Sequence, residues 1–454
     1  SSAFIPIFSA CLATDREEEG WKSASIVFNY VILLLVVLIA LAYLYTRPLI
    51  NLLAPGLPPD YISMAVDLTH IMFAQTFFMA LNGFAMGILN SYNNFAAPAL
   101  GSLVYNLVII VVGVALVDQI GAFSYGDVLG AILNFVVQIP ALRRVGMKYY
   151  FNFDYKDTGF HQIMILMVPV LAGLGVVQLN LFVTQNLSSG LGSGTISALN
   201  LAQRIMNLPI GIFAVSIATA VFPTLTALTA RGELDMFKRT GSLGLRAIFL
   251  VSIPASLGLI AIGEPLISLL FQQGEFTASM VTATNEALIY YCIGLFAYSA
   301  IQVLNRGFYA LKDTLTPVIA AALTIAFNII LSIQLSGSMG HKGLALAYSL
   351  AGFVNVIVLM IVLRKKVGKV GGIKIVTSFV IATGASLVMY GVVKFSTNFL
   401  LSRLILASKL NLLISVGTGI CLGVLVYGVI IYLFKLEESE LLLRMVRKRL
   451  PKKA

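Results

Sequence analysis

Apolar runs of about 20 residues recur along nearly the whole 454-residue chain, and each can cross a bilayer as a helix. This recurrence constrains the fold more than any motif. Backbone in lipid must satisfy its own polar groups, which only helices and closed barrels do. Porin-type alternation is missing, so the helical solution is expected. After a half-helix ending at Ala13, the runs fall at 24–45, 62–90, 97–117, 126–145, 160–187, 195–226, 241–262, 279–310, 316–335, 343–363, 374–395 and 412–434, twelve full spans. Composition agrees: 59% hydrophobic, 11% charged and mean hydropathy +0.95, against roughly 25% charged in soluble proteins. The opening SSAFIPIFSACLA reads as the second half of a span with no initiator Met or basic n-region. The expectation is a chain truncated at its N-terminus rather than one beginning with a signal peptide.

A net charge of +11 is one that nucleic-acid binders also carry, but its distribution indicates membrane topology, and no nucleic-acid partner is expected. Arg16, Lys22, Arg143, Arg144, Lys148, Lys156, Arg231, Lys238, Arg239, Lys312, Arg364, Lys365, Lys366, Lys369 and Lys374 fall on one side, with the tail from Lys435 to Lys453. The other side carries only Arg47, Lys342, Lys394, Arg403 and Lys409. The positive-inside rule makes the first set, and the C-terminus, cytoplasmic.

An internal repeat is visible. Arg47-Pro48-Leu49-Ile50-Asn51-Leu52-Leu53 returns 217 positions later as Glu264-Pro265-Leu266-Ile267-Ser268-Leu269-Leu270. Asn94-Phe95-Ala96-Ala97-Pro98 returns 219 positions later as Asp313-Thr314-Leu315-Thr316-Pro317. Both halves close on a cationic stop, Arg143-Arg144-Val145-Gly146 and Arg364-Lys365-Lys366-Val367-Gly368. An even number of spans separates the copies, so they are parallel repeats about an axis along the membrane normal. The first copy lacks about 40–60 residues, one and a half spans. The expected fold is all-α and polytopic: two six-helix lobes around a central cavity, plus two further helices. Such a plan suits an alternating-access transporter.

The segment Leu201–Phe222, LAQRIMNLPIGIFAVSIATAVF, carries a full charge in its first turns. Asn200, Gln203, Arg204 and Asn207 fall at i, i+3, i+4 and i+7, one polar stripe on a greasy helix. Pro209 and Gly211 interrupt it a turn later. An arginine at mid-bilayer costs roughly 2.5–3.5 kcal/mol on insertion scales, so this one should face a watery space and meet an anion. The alternative is an arginine near a helix end that snorkels to the headgroups. Gln178, Asn180, Thr184, Gln185 and Asn186 make the span 160–187 unusually polar. These amides bridge helices or line a cavity. Asn328 and Ser332 are similarly neutral, and no metal site is expected.

Asp67 and His70, at i and i+3, are the other titratable pair inside a span. The expectation is a salt bridge near the outer end of the helix; the alternative is that they relay a proton or gate the cavity. Glu286 and Asn285 take the corresponding turn of the second repeat, which would set them across the outer mouth. Cys11, Cys292 and Cys421 lie in apolar runs without metal or disulfide spacing. No HExxH, GxSxG with a histidine partner, Walker loop or paired-Asp signature occurs, so neither an enzyme nor a cofactor is expected.

SSAFIPIF, LAQRIMNLPIGIFAVSIATAVFPTL, EPLISLLFQQGEFT and NRGFYALKDTLTP together resemble the MurJ lipid II flippase family, within the exporter superfamily that also holds multidrug and polysaccharide-precursor transporters. The resemblance runs over the whole chain. It implies fourteen spans, a final helix pair forming a groove for a lipid tail, and a cationic cavity for a diphosphate and sugar-peptide head. By position, Arg204 matches the family's cavity arginine in the eighth span. Family members often set acids beside it, where Gln203 and Asn207 stand here. The family's other cavity arginines lie in the first span and the start of the second, before this sequence opens.

The implied function is flipping of lipid-linked peptidoglycan precursor in the bacterial inner membrane. Implied partners are lipid II, membrane lipids and cell-wall synthesis proteins. Substrate-binding candidates are Arg204, Gln203, Asn207, Asn200 and Gln178; gating or proton-linked candidates are Asp67, His70 and Glu286. Expected domains are 1–150, 151–370, the tail-groove helices 371–436 and a basic cytoplasmic tail 437–454. A drug exporter of the same fold would keep acids in its cavity, whereas the lone charge singled out here is basic. A membrane enzyme would need acidic loop ligands, and Asp154, Asp157, Glu233 and Asp235 lie scattered among lysines and arginines. A wall-synthesis scaffold is the third alternative.

Overall fold

The computed structural model describes residues 4–116, 119, 121–192, 194–403, 408–434 and 436–438, with side chains 169, 170, 172–174, 176, 177 and 408 left out. All of its regular secondary structure among these residues is helical. The elements are α1 (Phe4–Ala13), α2 (Glu17–Leu44), α3 (Thr46–Leu53), α4 (Pro59–Ser91), α5 (Ala96–Ala115), α6 (Ala122–Arg144), α7 (Thr158–Ser189) and α8 (Thr195–Pro209). A π-helical turn, Ile210–Ala214, leads into α9 (Val215–Ala230). Then come α10 (Leu234–Phe271), α11 (Ala278–Ala310), α12 (Leu315–Met339), α13 (His341–Val367), α14 (Gly372–Arg403) and α15 (Ser408–Phe434).

Every expected span coincides with a helix, and eleven described helices are long and apolar enough to cross a membrane. Two features escaped the hydropathy pattern. The short α3 has no apolar run of its own. At 38 residues, α10 outruns its apolar stretch at both ends, because Asp235, Lys238 and Arg239 begin it and Pro265 sits inside it.

The chain divides into two compact units, 1–179 and 180–454. The expected boundary at 150/151 moves into α7, because Phe160 and Ile163 at its start pack into the first unit's core around Phe8, Trp21, Ile88 and Leu142. The second unit's core gathers Met206, Phe237, Ile248, Leu288 and Phe308 from α8, α10 and α11. Helices α14 and α15 lie against α10. The basic tail beyond residue 438 lies outside the described residues.

Lipid offers little hydrophobic drive for helix association, so close approach and small residues decide packing. A Cβ at Gly294 of α11 would stand 2.7 Å from the Ser349 Cα of α13. The bare glycine lets its N–H donate to Ser349 Oγ at 3.0 Å, and that hydroxyl donates to the Tyr290 carbonyl at 2.6 Å.

The repeat is written into helix ends. Asp15 and Gly232 hold positive φ 217 positions apart, and Asn93 and Lys312 do so 219 positions apart. In each case the next residue's N–H reaches back five residues, as in Arg16 to Cys11 and Glu233 to Leu228, both 2.9 Å. These are Schellman ends. The repeated turn that follows also matches. Asn94 Oδ1 accepts the Ala97 N–H at 3.4 Å, and Asp313 Oδ1 accepts the Thr316 N–H at 3.0 Å. The second copy adds an ion pair, Lys366 to Asp313 at 2.6 Å, where the first has a neutral asparagine.

Candidate functional site

Helix α8 sorts its residues by face. Ala198, Ala202, Met206 and Ile210 are buried. Asn200, Arg204 and Asn207 are exposed on the opposite side, and Gln203 stands between the two. Arg204 makes no ion pair among the described residues. Pro209 has no N–H, so the Ile205 carbonyl four residues back loses its helical donor. The expected interruption takes the form of a π turn, closed by the Val215 N–H on the Ile210 carbonyl. Such turns often mark functional segments.

Beside this stripe, within the second unit, lies a cavity of about 210 Å³. Asn180, Thr184, Gln185 and Ser188 of α7 line one side, and Asn200 and Gln203 of α8 another. Tyr291, Asn328 and Tyr348 complete it. All its polar groups are neutral. Gln203 interacts with the Tyr348 hydroxyl. Asn180 Oδ1 is buried without a partner among the described residues. Of the polar residues expected in 160–187, Asn180, Thr184 and Gln185 line the cavity, together with Asn328. Gln178 does not join them: it is exposed, in the part of α7 that belongs to the first unit.

The remaining candidates lie elsewhere. His70 Nε2 sits 3.1 Å from Thr46 Oγ1 and 3.3 Å from the Tyr43 carbonyl, and its ring stacks on Tyr43 at 3.9 Å. Asp67 is exposed, and no ion pair joins it to His70 among the described residues. The expected salt bridge gives way to an aromatic stack because His70 turns toward the end of α2. The Glu286 carboxylate is engaged inside its own unit, 2.8 Å from Lys342 Nζ and 3.3 Å from His341 Nε2.

Three charged residues inside spans escaped the sequence reading. Arg246 of α10 is 5% exposed and meets Glu438 at 2.8 Å and Glu437 at 3.0 Å. Glu438 is fully buried and also accepts from Ser378 Oγ. The Glu437 carboxyl is held below the ordinary carboxylate range by Arg246 and then Arg239. Arg306 lies over the Phe222 ring at 5.3 Å. Asp127 accepts from the Tyr105 hydroxyl at 2.9 Å. Among the described residues, the buried cation of the spans is therefore Arg246 and not Arg204. Each was visible as a charge within an apolar run; only the partners were not.

Comparison with known proteins gives consistent results. Residues 1–435 match the family described as "Lipid II flippase MurJ". A probable lipid II flippase MurJ of Buchnera aphidicola is 30% identical over 366 residues, covering 79% of this chain and 71% of the relative. The lipid II flippase MurJ of Burkholderia cenocepacia is 30% identical over 385 residues, 81% and 73% of the two chains. Among solved structures, a lipid II flippase MurJ in an inward closed conformation superposes with TM-score 0.79 at 29% identity, covering 95% of this chain and 87% of that one. An inward-facing multidrug MATE transporter of the MOP superfamily shares the fold, with TM-score 0.67 at 15% identity over 81% and 86% of the two chains. A family match spanning nearly the whole chain, with helices placed as that fold requires, makes this multi-pass membrane protein a member of the MurJ lipid II flippase family.

Proposed function

We propose that this chain carries lipid II from the cytoplasmic to the periplasmic leaflet of the bacterial inner membrane by alternating access. The observation that carries the reading is Arg204, an exposed guanidinium without an ion-pair partner among the described residues, on a stripe flanked by amides. A guanidinium fork suits a diphosphate through bidentate, charge-assisted bonds. Gln203, Asn200 and the neutral cavity beside them offer hydrogen-bond partners to the sugar-peptide head. Helices α14 and α15 would hold the polyprenyl tail. The positive-inside bias supports a cytoplasmic C-terminus.

The test is transport of lipid II in liposomes by the full chain carrying Arg204→Ala. Loss of transport with an unchanged melting temperature supports the reading, and transport at the unsubstituted rate overturns it. A multidrug exporter is the second reading, since the fold is shared. A cationic drug would meet an unpaired cation on this stripe, which favours the anionic cargo.

A further inference from the structure

The connection between α6 and α7 does not run free over the surface. Residues 147–157 descend along α2 and return. Tyr150 N–H donates to Ser25 Oγ at 3.0 Å. Asn29 Nδ2 donates to the carbonyls of Tyr150 and Asn152, at 3.3 and 2.8 Å. The Tyr30 hydroxyl donates to the Phe153 carbonyl at 2.9 Å. The way back is fixed by Ser23 Oγ on Asp157 at 2.5 Å. From Ser23 to Tyr30 is seven residues, so the tip lies about 10 Å further along α2 than the return point.

That depth places the tip inside the membrane boundary. Helix α2 has 28 residues, about 42 Å at 1.5 Å per residue, against a hydrocarbon core of about 30 Å. All of its charges, Glu17, Glu18, Glu19 and Lys22, lie in the first two turns, so the surplus length falls there and Asn29 and Tyr30 sit past the edge of the core. Non-helical backbone is costly there unless something replaces water as its partner. The side chains of Ser25, Asn29 and Tyr30 do so, for one N–H and three carbonyls at the tip.

What the tip displays is aromatic. Phe151 is 82% exposed, Tyr155 65% and Phe153 37%, at i, i+4 and i+2 of an extended stretch. Phe151 rests on the Phe153 ring at 5.3 Å. Around them Arg143, Arg144, Lys148 and Lys156 are exposed, and none has an ion-pair partner among the described residues. Aromatic rings at headgroup level, beside four cations that outnumber the strap's own carboxylates Asp154 and Asp157, match an interface carrying anionic lipid.

We propose that the segment 147–157 is a lipid-anchoring strap: Phe151 and Phe153 insert at the acyl margin beside α2, and Lys148 and Lys156 hold anionic headgroups over them. The strap binds the membrane surface and no soluble partner. It rests on the membrane-spanning placement of α2 and not on which cargo the chain carries.

The test is Phe151→Trp in the full chain, reconstituted in nanodiscs with lipids brominated high on the acyl chain. Trp21 is the single native tryptophan and is 1% exposed, so its emission reports that the unit remains folded. The expected result is blue-shifted added emission, most of it lost in brominated phosphatidylglycerol and less lost in brominated phosphatidylcholine. Adding Lys148→Gln and Lys156→Gln should erase that difference. Added emission that brominated lipid leaves intact and aqueous acrylamide quenches would overturn the strap, whether the tip meets water or another protein. Equal quenching in both lipids, unchanged by the lysine substitutions, would overturn the headgroup recognition.

Discussion

Arg246 and Glu438 stand 192 positions apart in sequence and 2.8 Å apart in space, with Glu438 wholly out of solvent. The pair ties the residues after α15 to the first half of α10, and Ser378 ties in α14. Removing one member of a buried pair strands the other, which typically costs about 3–5 kcal/mol. Arg246→Ala is expected to destabilise the chain by that order and so to lower its melting temperature in detergent. A double variant replacing Arg246 and Glu438 with apolar residues should recover much of the loss. A melt unchanged by Arg246→Ala would show that the network carries no stability.

Arg204 leads to a different expectation, because it contributes nothing to the core. Arg204→Lys keeps the charge and loses the planar fork. Transport of a diphosphate cargo should fall partway toward the alanine variant, with thermal stability unchanged. Liposome transport at several substrate concentrations checks this.

The Asp313 carboxyl would be raised by its partial burial, but the Lys366 ammonium and the hydroxyl and N–H of Thr316 overcome that and hold it at about 2. A lowered carboxyl stabilises the fold above its unfolded value, near 3.8, and loses that contribution as pH falls toward 2. Asp313→Asn should therefore weaken the chain at neutral pH while flattening the acid limb of its stability curve between those limits. Melting temperatures of both chains across that acid range provide the measurement.

At Gly294 the obstacle is backbone, since the added methyl would meet the Ser349 Cα. Gly294→Ala is expected to push α11 and α13 apart and cost about 1–3 kcal/mol. Trimming Ser349 to alanine should not rescue it, because the clash with Cα remains. A rescued melt would show that the hydroxyl alone sets the spacing.

Much of this is legible in the amino-acid sequence. Bilayer thickness dictates helix length, so twelve spans could be placed from apolar runs, and the repeat emerged from motifs at near-constant offset. The interruption at Pro209 was legible because proline removes a donor. What stayed hidden depended on partners distant in sequence. Helical spacing sets His70 beside Asp67, yet its ring stacks on Tyr43 across a helix break. Nothing in the sequence near Arg246 marks Glu438 as its counter-charge. Gln178 looked equivalent to Asn180, but two residues turn a helix by about 200° and carried it off the cavity. The matched helix ends were masked because Asp15, Asn93 and Lys312 hold a conformation usually left to glycine.

The π turn after Pro209 settles a problem of phase. Ala198, Ala202, Met206, Ile210, Ala214 and Ala218 are all buried and all spaced by four. At 3.6 residues per turn each such step overshoots a full circle by about 40°, and five steps would wind the row about 200° around the axis. The wider turn at Ile210–Ala214 unwinds part of that drift midway. One straight seam can then lie along α11 for the length of the span, leaving the opposite flank, with its guanidinium, facing steadily away.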